Sequence, residues 1–127
     1  MRWIIVLALL SGCAARTPGP NHDEAELAQE LQGRTEGAAS DCVSVTPGRS
    51  LDIVSQDMLA YREGRTIWVN RIPGGCGGMR PFDTLVIEPF SPGRYCRGDR
   101  VRAMQPGTSI PGPFCRLGNF TPYRSPG

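Results

Sequence analysis

The sequence predicts a mainly β fold: a small antiparallel barrel or sandwich of five to six strands, with one short N-terminal helix and two disulfides. Three observations carry this reading. Short β-prone runs recur about 8–17 residues apart between turn-forming residues, as antiparallel strands do. The 16 Gly and 12 Pro punctuate those runs and do not collect into low-complexity tracts. Cys42, Cys76, Cys96 and Cys115 fall within one small domain, where an even number of cysteines reads as a disulfide framework in an oxidising compartment.

The chain begins MRWIIVLALLSGCAAR. Arg2 is a short positive start, and Trp3 to Leu10 form an uncharged apolar run. A membrane span needs about 20 apolar residues, so this run has the length of a signal-peptide core instead. Leu10-Ser11-Gly12-Cys13 then fits the lipobox. In that motif small residues admit a peptidase just before a cysteine whose thiol carries a diacylglyceryl group. The leader thus resembles those of bacterial lipoproteins. It predicts a signal peptide over 1–12, lipidation of Cys13 and a lipidated Pro/Gly tether over 13–22. The odd fifth cysteine is thereby assigned. One acyl chain holds a protein to a bilayer only reversibly, whereas two or three hold it durably. The resemblance further implies a place at the outer membrane, facing the periplasm, because Ala14 and not Asp follows the lipidated residue.

A short helix is predicted over 23–33. Asn21 can cap it, Glu24 completes a capping box, and Gly33 stops it. Leu27 and Leu31 make only a narrow apolar stripe, and so short a helix is marginal alone, so light docking or fraying is expected. Residues 34–127 form the β-rich, disulfide-stabilised domain. Its first runs are Leu51 to Val54 and Met58 to Tyr61. REGR then turns the chain into TIWVN, a hairpin signal. DTLVIEPF (Asp83 to Phe90) is the most apolar strand candidate. DRVRAMQ (Asp99 to Gln105) sets Val101 and Ala103 on one face, Arg100 and Arg102 on the other. FCRLGNFTPY closes the domain without a clean period.

Charge is uneven. From Ala14 to Asp41 there are two Arg and six acids; from Cys42 to Gly127, eleven Arg and six acids. The folded part therefore carries a basic face, read first as a solvated surface and second as attraction to anionic envelope material such as lipid A phosphates or peptidoglycan carboxylates. Nucleic acid is not an expected partner, since Arg clusters interleaved with aromatics are missing. No metal site is expected: the cysteines lack CxxC spacing, and the single His22 lies in the tether. No cofactor is implied. GGCGG (Gly74 to Gly78) lacks the Lys-Ser/Thr of a phosphate loop and reads as a mobile loop stapled by Cys76. Arg97-Gly98-Asp99 spells an adhesion tripeptide but is read as a turn. The carboxylates Asp52, Asp57, Glu63, Asp83, Glu88 and Asp99 show no pairing, and no base accompanies a Ser or Thr nucleophile, so no catalytic residue is nominated. Tyr61, Trp68, Phe114, Phe120 and Tyr123 are expected in the core or over the sheet ends. Trp68 alternates with Ile67 and Val69, so an outward Trp68 beside Arg65 or Arg71 is the candidate binding surface.

From ELQGRTEG through Cys42, YREGRTIWVNR, YCRGDRV and CRLGNFTPY, the chain resembles a group of small proteobacterial lipoproteins, over roughly residues 27 to 124. That group has no established activity to carry over. The resemblance implies that CRGD and CRLGNFTPY are structural signatures. It also implies the pairing Cys42–Cys96 and Cys76–Cys115, which cysteine spacing alone leaves open among three connectivities. The function expected is that of a non-enzymatic, membrane-anchored periplasmic lipoprotein with a binding or structural role, its partner an envelope protein or peptidoglycan. An inhibitor of a cell-wall lytic enzyme is the alternative, by architecture alone; a small hydrolase is the third reading.

Overall fold

In the computed structural model the described residues are Gly12, 21–108 and 110–126. The expected signal peptide, lipidated Cys13 and most of the tether lie outside them. One helix, α1 (His22–Leu31), precedes ten strands: β1 (Thr35–Glu36), β2 (Cys42–Ser44), β3 (Asp52–Ser55), β4 (Met58–Glu63), β5 (Thr66–Arg71), β6 (Thr84–Glu88), β7 (Arg94–Cys96), β8 (Arg100–Met104), β9 (Cys115–Arg116) and β10 (Phe120–Arg124). The mainly β architecture with one helix and two disulfides is as expected. The strands are more numerous and shorter, and the sheets do not close into a barrel. A five-stranded antiparallel sheet runs β1-β10-β5-β4-β3; β2 pairs β7, and β6-β8-β9 form a third sheet.

The large sheet is covered on both faces, and strand alternation decides which side chain goes where. Val54, Ala60, Ile67 and Val69 point toward α1 and bury Leu27 with them. Ile53, Leu59, Tyr61 and Phe120 take the other face, against Val43 of β2 and Val101 and Ala103 of β8. The result is three layers: helix, large sheet, and the two small sheets. REGR behaves as its sequence suggests. Glu63 pairs with Thr66, and Gly64, at φ 56°, supplies the left-handed residue of a two-residue hairpin turn.

The helix docks firmly, contrary to its narrow stripe. Asn21 accepts from the Glu24 amide at 2.7 Å and donates to the Val54 carbonyl at 3.1 Å, so one side chain both caps α1 and ties it to β3. Leu27 is buried, and Arg62 of β4 forks onto Glu30 at 2.8 and 2.9 Å while reaching Asp52 of β3 at 2.9 Å. This fork favours the ionised carboxylate. Hydrogen bonding to Arg62 is the largest cause holding Glu30 below its ordinary carboxylate range, and the same partner raises Arg62.

Two disulfides form, Cys42–Cys96 within the β2–β7 sheet and Cys76–Cys115 between a loop leaving the large sheet and β9. Cys42 and Cys96 face each other in the β2–β7 register, while Cys76, buried in the loop after β5, reaches β9. Loop-closure entropy over separations of 54 and 39 residues gives about 4 kcal/mol for each bridge.

Candidate functional surface

The outer face of β6-β8-β9 gathers charge. Val101 and Ala103 turn into the core, so Arg100 and Arg102 must turn out. Register places Glu88 and Arg116 opposite Arg100, one on each neighbouring strand. Three arginines thus share a face with one carboxylate, which lies 3.7 Å from Arg100. Like charges directly opposite repel across a sheet. Phe114, just before β9, offsets this: the Arg100 guanidinium carbon lies 3.8 Å from its ring centroid and that of Arg102 lies 4.6 Å away. The buried Nε of Arg102 has no hydrogen-bond acceptor, so the aromatic ring is its company. Arg116 donates to the Gly98 carbonyl at 2.8 Å.

Apolar exposure concentrates around the same sheet. Phe82 and Phe90 flank β6 and are 71% and 75% exposed; Ile110 and Phe114, between β8 and β9, are 78% and 43% exposed. Phe114, expected in the core or over the sheet ends, is a partly exposed ring beside β9 against which two cations lie. DRVRAMQ already set Arg100 and Arg102 on one face. Phe82, Phe90 and Ile110 carry no sequence signal of exposure, because an apolar residue beside a strand ordinarily reads as core.

The expected pairing of Trp68 with Arg71 is not assembled. Trp68 does alternate with Ile67 and Val69, but the opposite face of β5 is the larger core, against which Trp68 packs half-buried. It lines a shallow surface depression with Cys42, Ser44, Glu63 and Thr66. Arg71 shares the parity of Ile67 and Val69 and so projects from the helix-side face. Arg65 sits in the β4–β5 turn, where its carbonyl accepts from Arg34 at 2.7 Å and from the Ser125 amide at 3.0 Å.

The carboxylates are scattered, and several of them brace turns or make ion pairs. Asp57 accepts from the Ser55 hydroxyl at 2.7 Å. Asp99, fully buried, accepts from the amides of Cys96 at 2.7 Å and Phe90 at 3.3 Å. In Arg97-Gly98-Asp99 the Asp99 amide also closes a turn onto the Cys96 carbonyl, with Gly98 at φ 88°. That carboxylate has no surface to offer a receptor. GGCGG is stapled at Cys76, as expected: its amide donates to the Gln56 carbonyl at 2.6 Å, and the Cys76–Cys115 bond pins it from the other side.

A cavity of about 290 Å³ opens between this turn and the β8–β9 connection, lined by Gly78, Met79, Asp83, Ala103, Gln105 and Pro111 among others. Asp83 is its only ionisable described residue; one oxygen accepts from the Arg80 amide at 2.9 Å and the other is buried without a hydrogen bond. His22, Asp23 and Glu26 lie close together on the first turns of α1, with no other described residue joining them. No described helix is long and apolar enough to cross a membrane. Comparison with protein-family models, curated proteins and solved structures finds no match to this chain.

Proposed function

We propose that this chain is a lipoprotein of the outer membrane, fastened through lipid on Cys13 and facing the periplasm, with a non-enzymatic binding or structural role in the cell envelope. The observation that carries this is the partition of its five cysteines. Four are joined in two disulfides within the fold. The fifth stands at the lipobox Leu10-Ser11-Gly12-Cys13. Paired sulfurs suit an oxidising compartment, and a lipobox cysteine is the attachment point for acyl chains. A binding role accords with a surface on which arginine and exposed apolar groups gather around one small sheet.

The test is metabolic labelling with an alkyne fatty acid in a host carrying the lipoprotein pathway. The full chain should take up label and fractionate with membranes, and Cys13→Ser should abolish both. Equal labelling of the variant, or a wild-type chain that fractionates as a soluble protein, would overturn the proposal.

A further inference from the structure

We infer that the outer face of β6-β8-β9 docks a carboxylate-bearing wall polymer, a glycan-peptide of the peptidoglycan class; the inference rests on the envelope reading for where such a polymer is met. Charge segregation carries it first. Residues 21–63 hold nine acids and three Arg. Residues 76–118 hold six Arg and three acids, and two of those acids, Asp83 and Asp99, are buried. The second segment therefore holds six arginines against one accessible carboxylate, Glu88, and three of them, Arg100, Arg102 and Arg116, stand on this face. Nothing comparable occurs on the helix layer, where Arg62 is already forked onto Glu30.

The layering then says which way this face looks. The tether joins at Asn21, on the acidic helix side of the large sheet. The basic sheet is on the other side, two layer spacings of about 10 Å away. Chain that enters at Asn21 reaches the fold on the side opposite the arginines, so an anchor preceding it leaves that face open. A polymer across the intervening space, not the leaflet, meets the basic face.

The chemistry of the face fits that partner. Guanidinium forks match carboxylates, and Arg100 and Arg102 are already ordered on Phe114, so less conformational freedom is lost when an anion arrives. The Phe114 ring on this face, with exposed Phe82 and Phe90 just beyond the two ends of β6, offers flat apolar surface to the hydrophobic faces of sugars.

The experiment is co-sedimentation of the purified mature protein, in detergent, with isolated peptidoglycan sacculi. Chitin serves as the uncharged glycan, and glycerol 3-phosphate, added in excess to the sacculi, as the membrane-headgroup arm. The wild type should bind sacculi and not chitin, and should stay bound in the presence of glycerol 3-phosphate. R100Q/R102Q/R116Q should weaken binding by about tenfold or more, as expected for loss of charge-assisted contacts, while R71Q/R124Q on the large sheet should not. Sacculi whose carboxylates have been amidated should lose the wild-type protein, a readout that needs no variant to fold. Equal binding by the triple variant, undiminished binding to amidated sacculi, equal retention on chitin, or displacement from sacculi by glycerol phosphate at matched ionic strength would each overturn the inference. Any of these with lipid still on Cys13 leaves the anchoring proposal standing; an unlipidated Cys13 overturns that proposal and not the binding chemistry.

Discussion

Asn70→Ala is the substitution whose cost the structure defines most closely. Asn70 is 1% exposed; its amide nitrogen donates to the Gly118 carbonyl at 2.8 Å and its oxygen accepts the Gly118 amide at 2.9 Å. The pair joins the end of β5 to the segment between β9 and β10, which the sheet ladder alone does not hold. Alanine removes both bonds and leaves a donor and an acceptor on a buried glycine. Each buried group left unsatisfied costs about 1–3 kcal/mol, which puts the expected loss near 4 kcal/mol. With a urea slope of about 1.5 kcal/mol/M, the unfolding midpoint falls by roughly 3 M. Urea titration by circular dichroism, with the disulfides intact, reads this directly. Asn70→Asp keeps the acceptor but buries a carboxylate against the Gly118 carbonyl, so at neutral pH it should be at least as damaging as alanine. A loss below about 1 kcal/mol for Asn70→Ala would refute the reasoning, since it would mean that Gly118 finds other partners at no cost.

Gly118→Ala should be comparably damaging, by about 3 kcal/mol, because an added methyl meets the Arg71 carbonyl, a backbone atom that cannot step aside; thermal denaturation checks it. Removing the second bridge as Cys76→Ala/Cys115→Ala should cost about 2–4 kcal/mol, read by the same titration against the oxidised parent. Acid should weaken the helix–sheet contact. The folded Glu30 carboxyl lies below its unfolded value, so its contribution is complete above about pH 4.3 and is lost as pH falls through the folded value. Glu30 and Arg62 side chains are each 38% exposed, so the effect is about 0.5–1 kcal/mol. Wild type should therefore lose more stability between neutral and acid pH than Glu30→Gln does, and equal losses would contradict this assignment.

Much of this fold was legible because local signals agreed with tertiary placement. The β4–β5 hairpin could be read from Gly64 between two β-prone runs, and α1 from Asn21, Glu24 and Gly33. Strands of two or three residues, such as β1, β2, β7 and β9, could not, since only a partner's register makes them strands. Trp68 shows why alternation alone misled: the period was right, but burial of the large sheet on both sides depends on β2, β7 and β8, which arrive from elsewhere in the chain. Asn70, Asp83 and Asp99 were equally invisible as buried residues, because a polar side chain is buried only where distant backbone groups come to meet it. Of the candidate surface, the outward pair Arg100 and Arg102 could be read from DRVRAMQ, whereas the role of Phe114 depends on β9 pairing beside them.

The most direct measurement of the central proposal is intact mass, with fragmentation of the N-terminal peptide, on protein taken from its native membranes. The account predicts a mature chain that starts at Cys13 and carries a diacylglyceryl thioether. A chain that retains residues 1–12, or one that starts at an unmodified residue, would contradict it.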